Sequence, residues 1–298
     1  MSPAGLAGLD RRSFLARLGL LSAVAGSTLV LPGRAGAEVA ITASQSDVIA
    51  LLRQILAEMA QDTFNALAVF VVPGPDPYSA AQGTPRTEPG AIEAHTPAFL
   101  ITMFDELLPI PDEMARGIAG ALAGGLAGVP VPNPDDLPDL PPDTVNSVAE
   151  AVQMILTGPD TPPFSQVVTL LLSLVATQVN PGSVTGAFLT PYARLSLGEK
   201  AAVTSLLEDP NSPVMVAISS QLPDSLRPLV TGLVPYLVGG LMAFSAFGTY
   251  SEWATFDPLR RSVSSRPVGW DISGYDPGVL DGWNDFQGYY QGRQAVTR

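Results

Sequence analysis

The sequence has no cysteine, a single histidine (His95) and a single lysine (Lys200). Without thiols the chain can build no disulfide, thiolate zinc site, iron–sulfur cluster or covalently attached c-type haem. A metal site built on His95 would need carboxylates for every other ligand. Basic residues number 15 against 28 acidic ones, giving a formal net charge of −13. Such a surface repels phosphate backbones, so nucleic acid is excluded as a partner. It repels anionic lipid headgroups as well. No G-x-S-x-G elbow occurs, and alternating strand patterns are nearly absent. Aromatic residues are scarce at 7%, yet the hydrophobic fraction of 46% is ample for a core.

The first forty residues are patterned as an export signal. Arg11-Arg12 is followed at once by Ser13-Phe14-Leu15. A moderately apolar run from Leu18 to Leu31 comes next, then Ala35-Gly36-Ala37, a small-x-small cleavage site. Paired arginines before Ser-Phe-Leu read as a twin-arginine address, with Arg11, Arg12, Phe14 and Leu15 as its recognition residues. The expectation is a signal peptide over 1–37, cut after Ala37, and a working form in the periplasm or cell envelope. The twin-arginine translocase carries folded proteins. A chain uses it after taking up a cofactor, or when bound to a partner that does. The signal holds Arg11, Arg12, Arg17 and Arg34 against Asp10, so the remainder is more acidic still.

Residues 38–298 are read as a single, mainly α domain: an irregular helical bundle with Pro/Gly-rich loops. Val48, Leu51, Leu52, Ile55, Leu56 and Met59 recur at helical spacing behind Ser44 or Ser46, and Pro73-Gly74-Pro75 ends that helix. Proline-rich insertions are expected at about 73–97 and 129–142. Between them a helix runs from Pro97 to Leu108. A glycine-rich one follows from Met114 to Gly128, where Gly117, Gly120, Gly124, Gly125 and Gly128 call for close packing. These glycines do not spell G-x-G-x-x-G, and no strand precedes them. Further helices are expected from Asp143 or Thr144 to Leu156, from Ser165 to Val179, from about Ser196 to Leu207, from Pro213 to Gln221 and from Leu226 to Phe247. Ser196 with Glu199 forms a capping box. Leu229 to Phe247 carries no charge and is long enough to span a bilayer. Gly232, Pro235, Gly239 and Gly240 interrupt it, which favours a central core helix, apolar all round. Membrane attachment stays open.

The C-terminal stretch is aromatic-rich and irregular. All three tryptophans, Trp253, Trp270 and Trp283, fall there, with Tyr250, Tyr275 and Tyr289. Such rings either pack the tail onto the helices or present a partner interface. Arg260-Arg261 and Arg266 form a local basic cluster, facing either a partner's carboxylates or this chain's own.

The order of these features resembles the gluconate 2-dehydrogenase subunit 3 family. The features are the Arg11-Arg12 signal, Leu195-Ser196…Glu199-Lys200 followed by Leu206-Leu207-Glu208, an apolar helix leading into Tyr250-Ser251, and Gly269-Trp270-Asp271-Ile272-Ser273-Gly274-Tyr275. The resemblance covers the signal and roughly the second half of the chain; residues Pro73 to Pro163 are longer and more proline-rich than the family pattern. It implies a non-catalytic accessory subunit with no cofactor of its own. The FAD would sit in a large glucose-methanol-choline-type (GMC-type) dehydrogenase subunit, folded and exported with this chain. The tail rings Tyr250, Trp253, Trp270, Tyr275, Trp283 and Tyr289 are the candidate partner interface. A second expectation is a cell-envelope scaffold whose bundle holds an apolar ligand. A third is a hydrolase using His95 or a carboxylate pair. Asp135, Asp136 and Asp139 lack the ligand spacing of an EF-hand loop and read as solvated linker.

Overall fold

The computed structural model describes residues 45–123, 142–222 and 224–275. Within them the chain is mainly α, with ten helices and one two-stranded ribbon. The expected signal at 1–37 with its expected cleavage site, the glycines 124, 125 and 128, the stretch 129–141, Trp283 and Tyr289 lie outside the described residues.

Helix α1, Gln45–Val71, begins as an amphipathic helix. Leu52, Ile55, Met59, Ala66 and Val69 recur every three or four residues and are buried, and Asp62 lies in the same stripe. From Ala60 onward burial spreads around the helix to Thr63, Phe64, Leu67 and Ala68. Alongside it runs α6, Phe164–Val179, which buries thirteen of its sixteen residues. Each valine or leucine sealed there contributes about 1.5–3 kcal/mol of apolar transfer. These two helices form the centre.

The others surround them: α3 (Thr96–Thr102), α4 (Asp112–Ala123), α5 (Pro142–Thr157), α7 (Leu197–Glu208), α8 (Pro213–Gln221) and α9 (Arg227–Tyr250). Their starts follow capping chemistry. At α7 the expected box is present: Glu199 Oε2 accepts from the Ser196 amide at 2.8 Å while Ser196 Oγ accepts from the Glu199 amide. Ser212 caps α8. Helix α6 has no local side-chain cap. Asp105, from a turn of π-helix at Met103–Leu107, accepts from the Ser165 amide and hydroxyl, both at 2.8 Å.

The stretch 73–97 is irregular apart from the short α2, Pro77–Ala81, but it is tied into the core. The Ala91 amide donates to Val72 O, Gln82 Nε2 to Val69 O, and the Leu197 amide to Gln82 O. Gly74 and Gly90 touch backbone to backbone, so close that a Cβ on Gly90 would lie 2.7 Å from Gly74.

Three expectations are corrected. Helix α9 is not apolar-packed all round. Val230, Val234, Val238, Leu241, Ser245 and Thr249 are buried, whereas Gly232, Tyr236, Gly239, Ala243, Phe247 and Tyr250 form an exposed stripe. Only 28% of its most apolar window is covered, and Val230–Tyr250 is long and apolar enough to cross a membrane. Charge is absent from both faces, so hydropathy cannot tell them apart; α1, α3 and α7 pack on one side. The second correction concerns the glycines of α4. At Gly117 a Cβ would sit 3.2 Å from Leu226 Cδ1, as close packing requires. At Gly120 it would meet nothing within 4 Å among the described residues. The tail is also less irregular than expected: β1 (Phe256–Asp257) pairs antiparallel with β2 (Ser262–Val263), and α10 follows at Val268–Ser273.

Candidate partner interface

The end of α9 lies against α3 at Gly248. A Cβ there would be 2.5 Å from Phe99 Cδ1, so only glycine permits this approach. Beside it the buried hydroxyls of Thr96 and Thr249 share a hydrogen bond of 2.8 Å. Phe247 and Trp253 flank the buried Phe99 ring, with centroids 5.7 and 5.5 Å away. The chain then leaves as the β1–β2 hairpin and returns as α10. Gly269 lets α10 seat on the backbone of Tyr250; a Cβ on it would lie 2.6 Å from Tyr250 O.

Two polar contacts fix Trp270, and a third holds the arginine over its ring. Its Nε1 donates to Glu252 Oε1 at 3.0 Å, the Arg266 guanidinium lies 5.8 Å from its ring centre, and Arg266 pairs with Asp271. Gly274, at φ 69, ends α10 in the left-handed conformation. Tyr275 then meets Trp270 edge-on at 5.4 Å. The structure thus brings Tyr250, Trp253, Trp270 and Tyr275 to one end of the molecule. The choice between packing and display divides by residue. Trp270 is half-buried, while Tyr250, Trp253 and Tyr275 are 48, 41 and 42% exposed. Phe247 and Phe256 join this surface at 60 and 49%. The sequence reading missed them, although Phe247 stands one helical turn before Tyr250.

Gly269→Ala is expected to unseat α10, because the added carbon meets backbone that cannot rotate away. Tryptophan emission should shift to the red while far-UV helical signal is kept. Unchanged emission would mean that α10 tolerates the methyl group and is not seated as described.

A separate polar centre lies inside the bundle, around Asp62 and Lys200. Asp62 accepts from Tyr78 Oη at 2.9 Å and from the Thr190 amide and hydroxyl, both at 2.8 Å. Burial raises its carboxyl above the usual range, partly offset by those donors. Lys200, fully buried, donates to Gln82 Oε1 at 2.8 Å and Ala66 O at 3.0 Å, and stands 5.7 Å from the Tyr192 ring centre. Desolvation pulls its ammonium down to about 7, against the attraction of Asp76 and Asp62. Arg194 donates to the carbonyls of Ser183, Phe188 and Leu189 under the loop before it. This centre braces α1 to the loop and to α7, with Asp62 and Lys200 buried and Tyr78 and Arg194 half-buried at its edge. Lys200 shares a helix face with Val203 and Leu207, a spacing that foretells its burial.

His95 precedes α3, exposed and in the left-handed conformation at φ 54, with no side-chain cap bond. Shallow grooves of about 140 and 300 Å³ lie between α1, α5 and the start of α6. Arg53 and its partner Asp160 line both, so neither is an apolar chamber.

The chain matches no family model, no curated protein and no solved structure.

Proposed function

We propose that this chain is the non-catalytic small subunit of an exported, FAD-dependent dehydrogenase of the GMC type. In this reading it helps its large partner to fold, and the pair crosses the membrane on the signal at Arg11-Arg12. The flavin and the chemistry belong to the partner. The observation that carries the reading is the aromatic surface at the end of α9. Phe247, Tyr250, Trp253, Phe256 and Tyr275 stay 41–60% exposed on a scaffold held by Gly248 and Gly269. Rigid, half-exposed rings over a packed base are the usual anchors of a protein interface. An address for folded cargo supports the same reading.

The test is purification of the tagged chain from its own cell envelope. The expected result is a complex with a larger subunit that releases one flavin per small chain on denaturation. The small chain alone should be colourless. Recovery only as a free monomer, or with a chromophore bound to the small chain itself, would overturn the reading.

A further inference from the structure

Resting on the accessory-subunit reading, we propose that the tip of the β1–β2 hairpin, Leu259–Arg261, anchors this chain to its flavoprotein partner. The matching partner surface is an apolar socket rimmed with carboxylates.

Leu259 is 94% exposed, more than any other large hydrophobic side chain among the described residues. The tip that holds it out is prestructured. Asp257 Oδ1 accepts from the Leu259 and Arg260 amides at 2.9 and 3.1 Å, and the Ser264 amide and hydroxyl close the base on Thr255 O at 2.7 and 2.9 Å. A stiff presenting loop loses little conformational freedom on binding.

The structure also separates the three arginines of the basic cluster. Arg260 pairs with Asp257 at 3.6 Å and Arg266 with Asp271. Arg261 has no ion pair or hydrogen bond among the described residues. It sits at φ 51, a conformation that L side chains seldom adopt. Glycine or asparagine would hold this position with less strain, so the turn alone does not call for arginine.

The setting gives the cation its meaning. The chain carries a net charge of −13. Arg53, Arg116 and Arg227 are paired with Asp160, Asp112 and Asp224. Arg86 likewise has no ion pair among the described residues, but it lies by Glu88, whereas Arg261 stands two residues from the bare Leu259. An unpaired guanidinium beside a bare leucine is complemented by a carboxylate at the edge of an apolar pocket. The tip also continues the aromatic surface, since Trp253 and Phe256 stand just before it in the chain, 41 and 49% exposed.

The experiment compares Leu259→Asp, Arg261→Glu, Arg261→Gly, Arg261→Lys and Arg53→Glu in the tagged full chain. Flavin recovered per small chain is the readout, and far-UV circular dichroism reports on folding. Leu259→Asp and Arg261→Glu should lower recovery at least tenfold with helical signal intact. Arg261→Gly, which relaxes the turn and removes the cation, should lower it several-fold. Arg261→Lys and Arg53→Glu should leave it near wild type; the last makes the same charge change far from the tip. Full recovery with Leu259→Asp and Arg261→Glu would overturn the tip assignment and leave the accessory reading standing. Recovery of no flavoprotein by wild type would overturn both. Two other results would overturn it in favour of a different occupant. One is a wild-type homodimer in light scattering that Arg261→Glu splits. The other is wild-type binding to phosphatidylserine vesicles that Arg261→Glu abolishes.

Discussion

Replacing Asp62 by alanine is expected to cost the fold about 3 kcal/mol, because two buried donors and one half-buried donor lose their acceptor together. The donors are Tyr78 Oη, the Thr190 amide and the Thr190 hydroxyl. The last also accepts from Thr63 Oγ1 at 3.2 Å, so the loss spreads along α1. In a chain of this size the melting temperature should fall by roughly 6–12 °C. Asp62→Asn keeps one acceptor oxygen and should cost about 1 kcal/mol at neutral pH. The two variants also differ in how they compare with wild type across pH. The folded-state carboxyl of Asp62 is raised above its unfolded value of 3.8. The native state therefore holds the proton longer, and wild type loses stability as pH rises from 3.8 through that raised value. The margin of wild type over Asp62→Asn should be smallest near neutral pH and grow toward pH 4. Thermal melts at matched pH decide it. An Asp62→Ala protein that melts with wild type would mean that the three donors find other acceptors.

Lys200→Met is expected to remove a rise in stability that wild type shows between pH 7 and 10. The folded-state ammonium is depressed to about 7 from an ordinary 10.5. Below pH 7 both states carry the proton, and the cost of burying the charge is borne in full. As pH climbs, the native side chain gives up its proton while the unfolded one keeps it. The unfolded state then binds more protons, so stability rises. The gain should reach roughly 2–4 kcal/mol across that window, at a slope of at most about 1.4 kcal/mol per pH unit. The ceiling is set by Tyr78 and Tyr192. Burial raises both phenols above their ordinary value of 10, so the unfolded state ionises first and stability is lost beyond that pH. Wild type should therefore be most stable near pH 10, where most proteins are past their best. Denaturant titrations across pH 6–10 measure this directly. A wild-type curve as flat as that of Lys200→Met would show that water or a carboxylate already relieves the buried charge.

A sole lysine in the middle of the molecule also bears on how the chain is built. Its acceptors belong to Gln82, in the loop after α2, and to Ala66 of α1, while Lys200 itself is on α7. One side chain thus closes three segments. The aromatic surface rests on the same frame, because α9 packs on α1 and α7 before presenting its far end.

Much of the local structure was legible in the sequence. The end of α1 before Pro73, the cap at Ser196–Glu199, the start of α8 at Pro213 and the scarcity of strands all followed from intervals of a few residues. Such features depend on backbone donors and acceptors within one turn, which the sequence lists side by side. The hydrophobic stripe of α1 and the apolar character of α6 were legible as well. The aromatic surface was partly legible too, since Tyr250, Trp253, Trp270 and Tyr275 fall within one short aromatic-rich stretch.

Which apolar helix occupies the centre was decided only by the tertiary structure. Helix α6 carries no charge and α9 none beyond Arg227 at its start, yet α6 is enclosed and α9 leaves a whole stripe bare. The same holds for the exposure of each ring, the pairing of each arginine and the burial of Asp62 and Lys200. Asp62 meets Thr190 across 128 residues of chain, and Lys200 meets Ala66 across 134. A sequence fixes which groups want burial or a partner within one turn of helix. It leaves open which distant segment supplies them, because that depends on how whole helices compete for a limited amount of enclosed space.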